Sequence, residues 1–213
     1  MGGKSSKPLA KKTLTTLCSE TNFDAGTIKR LYVAFHVISS TVKDDGVIDA
    51  QEFQTSIGFH SSKFCHRIFQ LFDGDGDMFI NFEEFVRAMN VLKLPSDSDM
   101  ETLVEEKLKF SFQVYDEDKD NKISKEELCN AFMDVMDTRD ITVTEEQKQA
   151  IVNATFKQAK TQNADFITYD EYRNLIKSNP SSLENFIQAY SVDIDAALQN
   201  AAVMHKAGKK QKK

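Results

Sequence analysis

The chain repeats one pattern four times: an amphipathic stretch, a short polar loop and a second amphipathic stretch. Apolar positions three and four apart predict entering helices over 27–38, 61–72, 101–115 and 145–159. The same spacing predicts exiting helices over 50–58, 82–93, 125–136 and 169–177. Each copy carries an isoleucine, a glutamate four positions later and then a large apolar residue. These are Ile48, Glu52 and Phe53; Ile80, Glu84 and Phe85; Ile123, Glu127 and Leu128; and Ile167, Glu171 and Tyr172. Around 92–100, Pro95 and a Ser/Asp cluster break the periodicity and divide the units two and two. The expected organisation is a flexible basic segment over 1–20, a first pair over 21–93, a linker over 94–100 and a second pair over 101–178. A C-terminal helix over 179–198, with Leu183, Phe186, Ile187 and Tyr190 on one face, and a lysine-rich tail over 199–213 follow.

The loops explain the repeat. A twelve-residue EF-hand loop, D-x-[DN]-x-[DN]-G-x5-E, offers calcium oxygens from positions 1, 3, 5, 7, 9 and 12. The expected fold is therefore all-α: four EF-hands as two pairs in two lobes, short two-stranded β pairings between loops, and a C-terminal helix. A single hand leaves its apolar face exposed, which is why hands pair.

Loop three, DEDKDNKISKEE, carries the fullest ligand set: Asp116, Asp118, Asp120, the carbonyl of Lys122, Ser124 directly or through water, and a bidentate Glu127. Asn121 occupies position 6 and tolerates the left-handed turn required there. Loop two, DGDGDMFINFEE, offers Asp73, Asp75, Asp77, the carbonyl of Phe79, Asn81 and Glu84. Its position 6 is Met78, which supplies no ligand but must adopt the left-handed turn at a cost of about 1–2 kcal/mol. The expectation is a weakened site with its ligands intact. Loop four has Lys160, Gln162 and Ala164 at positions 1, 3 and 5, so it is expected to fold as a structural partner without calcium. Loop one is ambiguous. Counted back twelve from Glu52, Thr41 and Lys43 occupy positions 1 and 3; a loop two residues longer begins at Ser39 and uses backbone carbonyls, with Asp49 and Glu52 adding charge.

A net charge of -6 argues against a nucleic-acid partner. Cys18, Cys65 and Cys129 are odd in number and lack CxxC spacing, which reads as reduced thiols. No apolar run of about 18 residues and no signal-peptide pattern occur. MGGKSS matches M-G-x-x-x-[ST] and makes Gly2 a candidate N-myristoylation acceptor. One acyl chain anchors only marginally, and Lys4, Lys7, Lys11 and Lys12 offer the second, electrostatic signal. The expected location is cytoplasmic, with reversible, peripheral membrane contact through the acyl group.

Four stretches, ISSTVKDDGVIDAQEFQ, RIFQLFDGDGDMFINFEEFVRAMNVL, KLKFSFQVYDEDKDNKI and NPSSLENF, resemble the calcineurin B-like calcium sensors. The resemblance implies a fourteen-residue first loop with ligands at Ser39, Val42, Asp44, Val47 and Glu52, Asp45 being the alternative to Asp44. It also implies an adaptor that binds the regulatory segment of a Ser/Thr protein kinase in a hydrophobic crevice and activates the kinase. Candidate groove residues are Phe69, Phe72, Phe85, Met89 and Phe112. The tail HKAGKKQKK lacks the family's Phe-Pro-Ser-Phe-like phosphorylated segment. The alternative is calcineurin B, the regulatory component of calcineurin, whose partner is a phosphatase catalytic subunit. It has four consensus loops, unlike this chain. No nucleophile–base set, phosphate loop or HExxH marks an enzyme.

Overall fold

A computed structural model describes residues 8–57, 62–96, 98–137 and 141–194. Among the described residues ten helices and two short strands follow in order: α1 (Lys11–Glu20), α2 (Ala25–Ile38), α3 (Ala50–Ile57), α4 (Ser62–Phe72), α5 (Phe82–Leu92), α6 (Met100–Tyr115), β1 (Lys122–Ser124), α7 (Lys125–Asp137), α8 (Glu145–Ala159), β2 (Phe166–Thr168), α9 (Tyr169–Lys177) and α10 (Pro180–Ala189). The fold is all-α with EF-hand lobes, as expected, and every repeat takes the form helix, loop, helix.

Two units form. Among the described residues one contains 8–57, 72–93 and 192–194, and the other contains 62–71 and those within 94–191. In the first unit Phe35 packs edge-on against Phe82, and Phe53 against Phe72, at ring-centroid distances of 5.5 and 5.1 Å. Loops one and two meet at a single antiparallel bridge between Ile48 and Ile80. The second unit builds its core from Val104, Leu108, Phe112, Ile123, Val152, Phe156, Ile167, Tyr172 and Phe186. There the expected ribbon is complete: β1 pairs with β2 antiparallel, with Ile123 opposite Ile167. Isoleucine at loop position 8 thus lies in a buried pairing in both units.

Three expectations are altered. The sequence predicts a flexible segment throughout 1–20, but α1 forms at Lys11–Glu20 and packs against α2 and α5. Only Leu17 of this helix is fully buried, so its apolar stripe is too narrow to read from periodicity. Arg87 of α5 secures the helix end, donating from Nε and Nη2 to Glu20 Oε2 at 3.0 and 2.9 Å. Next, α4 up to Leu71 joins the second unit and not the first pair of hands. Arg67 is one tie to that unit: its Nη2 is 2.9 Å from Glu117 Oε2 and 3.4 Å from Asp134 Oδ2. Finally, α10 is shorter than 179–198. Asn179 Oδ1 accepts from Ser181 N and Ser182 N, Pro180 fills the first turn, and the helix closes at Tyr190. Beyond it Val192 N donates to Leu92 O. Residues 195–213 lie outside the described residues, as do 1–7.

The expected face of α10 is in place. Phe186 enters the core of the second unit, and Leu183, Ile187 and Tyr190 pack against it. Lys107, fully buried in α6, donates from Nζ to Tyr190 O at 2.7 Å and holds the end of α10.

Candidate metal centre

The loop glutamate at position 12 begins as a helix-capping device. In loop two Asn81 caps α5: its Oδ1 accepts from Glu84 N, and Glu84 Oε2 accepts from Asn81 N at 2.9 Å. Ser124 and Glu127 make the same reciprocal pair at the start of α7, and Thr168 and Glu171 at the start of α9. In loop one Glu52 N donates to Asp49 Oδ1 at 2.8 Å. The four sequences share the form [Asp/Asn/Ser/Thr]-x-x-Glu, a capping box joined to the end of each loop. This signal is present in the sequence but hidden beneath the calcium pattern. It explains why Glu171 persists in a loop that otherwise lacks calcium ligands.

The second carboxylate oxygen turns inward. Glu84 Oε1 accepts from Gly74 N at 3.0 Å and Asp75 N at 3.2 Å. Glu127 Oε1 accepts from Glu117 N at 2.8 Å and Asp118 N at 3.4 Å. At the other end of loop two, Asp73 Oδ1 accepts from Gly76 N and Asp77 N, and Oδ2 from Met78 N. In loop three Asp116 Oδ1 accepts from Asp120 N and Oδ2 from Asn121 N. Each loop is therefore wound around its first aspartate and closed by its last glutamate.

This winding needs left-handed residues. Met78 has φ 71° and Asn121 φ 64° at position 6; Gly76 and Lys119 repeat the conformation at position 4, with φ 76° and 60°. Met78 does take the turn expected of it. Its side chain is 57% exposed, so the conformational cost is not recovered by packing.

The donor set fits calcium. Oxygens from Asp73, Asp75 and Glu84 lie within 4.8 Å of one another, as do those from Asp116, Asp118 and Asp120. All are hard carboxylate oxygens on short loops. Burial raises the pKa of Asp116, amide donors from Asn121 and Asp120 oppose the rise, and the charges of Glu127 and Asp120 add to it. A divalent cation relieves that repulsion. Burial also acts to raise Glu127, but donors from Ser124, Asp118 and Glu117 bring it below the usual carboxylate range. It is therefore held ready as an anion. Asp77 of loop two and Glu127 of loop three are not part of these clusters; by position in the loop Asn81, the carbonyls of Phe79 and Lys122, and Ser124 are the remaining candidates, and Ser124 Oγ donates to Glu127 Oε2 at 2.8 Å.

Loop one differs. Glu52 Oε1 accepts from Val42 N at 3.1 Å and Lys43 N at 3.2 Å, and Gly46 is left-handed at φ 87°. These contacts repeat the reach of Glu84 and Glu127. Ser39 closes α2 and is fully buried, with no hydrogen-bond partner for its Oγ among the described residues. Asp45 pairs with Lys43 at 3.1 Å, while Asp44 and Val42 are exposed. No group of three carboxylates gathers in this loop among the described residues. In loop four Lys160 is left-handed at φ 51°, and Glu171 Oε1 accepts from Gln162 N at 2.7 Å. Glu171 thus closes a loop whose other ligand positions are Lys160, Gln162 and Ala164.

Of the candidate groove residues, Phe69, Phe72, Phe85 and Phe112 are buried and Met89 is half-buried. Phe85 packs with Phe35 and Phe72 in the first unit, and Phe112 with Tyr169 and Tyr172 in the second. Gly2, the candidate acylation site, lies outside the described residues.

Comparison with known proteins agrees with these loops. An EF-hand domain pair model matches residues 105–177, and an EF hand domain model matches 64–92. Calcineurin B-like protein 5 of Arabidopsis thaliana is 28% identical over 187 residues, covering 86% of this chain and 89% of that protein. The calcineurin B protein of Candida glabrata is 29% identical over 181 residues, covering 85% and 97%. That of Schizosaccharomyces pombe is 28% identical over 163 residues, covering 76% and 87%. The chain carries calcium-binding EF-hands and is similar over most of its length to calcineurin B-like and calcineurin B proteins.

Proposed function

We propose that the chain is a calcium-sensor adaptor that binds the regulatory segment of a Ser/Thr protein kinase and activates the kinase, with no catalytic centre of its own. The observation that carries the sensor reading is the double duty of Glu84 and Glu127. Each accepts from the loop backbone and also lies in the first turn of an exiting helix. Calcium taking the carboxylate pulls on that helix directly, the means by which sensor hands open apolar surface. Phe72, Phe85 and Met89 in the first unit, and Phe69 and Phe112 in the second, are the side chains such opening would release to a partner helix.

Calcium occupies loops two and three in this reading, through Asp73, Asp75, Asp77, Phe79, Asn81 and Glu84, and through Asp116, Asp118, Asp120, Lys122, Ser124 and Glu127. Loop one adds a site built on carbonyls, with Ser39, Val42, Asp44, Val47 and Glu52. The kinase is preferred because loop one departs from the twelve-residue consensus and loop four begins on Lys160. Gly2 carries a myristoyl group and gives reversible membrane attachment. Among the described residues no helix is long and apolar enough to cross a membrane.

Affinity capture with the full chain, in calcium and in chelator, tests the assignment when bound proteins are identified by mass spectrometry. Calcium-dependent recovery of a kinase, with rising kinase activity on addition of the chain, supports it. Recovery of a phosphatase catalytic subunit instead transfers the chain to the calcineurin B role.

A further inference from the structure

We infer that Arg67 is a positioning residue of the third calcium loop, acting through Glu117. The inference rests on the assignment of calcium to that loop. Arg67 belongs to α4, the entering helix of hand two, yet its guanidinium is committed to hand three. Its side chain is 7% exposed, an unusual degree of burial for a cation. Nη2 donates to Glu117 Oε2 at 2.9 Å and forms an ion pair with Asp134 Oδ2 at 3.4 Å. Nε and Nη1 have no acceptor among the described residues, so its polar contacts run through this one nitrogen.

Both partners bear on the loop. Glu117 is position 2, directly after Asp116, and its N–H is the 2.8 Å donor to Glu127 Oε1. The guanidinium therefore holds the residue whose backbone holds the closing ligand. Asp134 lies on α7, the helix that Glu127 begins. One cation thus ties the start of the loop to the helix leaving it. It also offsets charge where Asp116, Glu117, Asp118, Asp120 and Glu127 are crowded together. An arrangement gathered before calcium arrives binds it more tightly, because less ordering remains to be done on binding. Glu117 is not a ligand by position, and the consensus places no demand on it.

The test uses the full chain and calcium alone, followed by NMR at the Asn121 amide, which donates to Asp116 Oδ2. Arg67→Gln and Glu117→Gln are each expected to weaken calcium at loop three about threefold or more, and the double variant no further than the stronger single one. Exchange of the Glu117 and Asp118 amides in calcium-free protein is expected to quicken in both single variants. Unchanged affinity, or losses that add, overturn the role. A merely structural Arg67 lowers the melting temperature without this coupling to Glu117. Should Arg67→Gln fail to fold, Glu117→Gln decides alone, since its side chain is 54% exposed and its loss leaves no cavity. If Asn121 of the unaltered chain ignores calcium, the loop-three assignment falls and carries the inference with it. If it responds and the variants match it, only the Arg67 role falls.

Discussion

Ile48 and Ile80 exchange both main-chain hydrogen bonds, each at 2.9 Å, and both side chains are fully buried. Loops one and two are therefore one mechanical object. Ile80→Ala removes a buried side chain at the joint and is expected to cost about 2–5 kcal/mol. Thermal unfolding checks the stability, and calcium titration is expected to show loop two weakened while loop three retains its affinity.

Met78 concerns strain alone. Its side chain is exposed and makes no ligand contact, but its backbone is left-handed at φ 71°. Met78→Gly is expected to tighten calcium at loop two about tenfold, the equivalent of relieving about 1–2 kcal/mol. Calorimetric titration reads this directly. Equal affinity would show that the calcium-bound loop avoids this turn.

Glu127 closes loop three and caps α7 at once. Glu127→Gln keeps the side-chain length and a hydrogen-bond acceptor, so the helix start survives, but the bidentate anion is lost. One calcium is expected to disappear from the stoichiometry measured by calorimetry, with little change in helicity by circular dichroism. A full stoichiometry would sink the assignment of this loop.

Glu105 links α6 to α9. It accepts from Arg173 Nε and Nη2 and pairs with Lys177 Nζ. The Arg173 hydrogen bond lowers its pKa from 4.5 to about 2, against the opposing effect of burial and with further help from Lys177. Between those values the unfolded chain binds more protons than the folded one, so stability rises with pH across this window. The contribution is complete above about pH 4.5 and is lost as pH falls towards 2. Melting temperatures across that range are expected to fall less steeply in Glu105→Gln than in the unaltered chain.

Much of the site is legible because EF-hand chemistry is local. Asp73 to Glu84 and Asp116 to Glu127 carry their ligands within one loop, and each leading aspartate winds its own backbone. Ile123 opposite Ile167 is equally readable, since a fixed loop position in each hand meets its counterpart. Loop one is less legible, as its expected oxygens come from main-chain carbonyls that any residue type supplies. Lys119, left-handed at position 4, escapes a sequence reading because nothing in its residue type announces the conformation.

The sequence by itself determined four helix–loop–helix repeats, the isoleucines through which their loops meet, the carboxylate-rich loops and the absence of carboxylates at Lys160, Gln162 and Ala164, because periodicity and spacing act over a dozen residues. Only the tertiary structure decided the contacts between segments far apart in the chain. Leu17 is the one fully buried side chain of α1 and Arg87 ties its end through Glu20, so the helix leaves no periodic trace. Arg67 reads as an ordinary polar residue on an amphipathic helix, yet its partners are Glu117 and Asp134, fifty and more positions away. A buried cation is decided by which carboxylates folding brings to it, and that information is distributed over the whole chain.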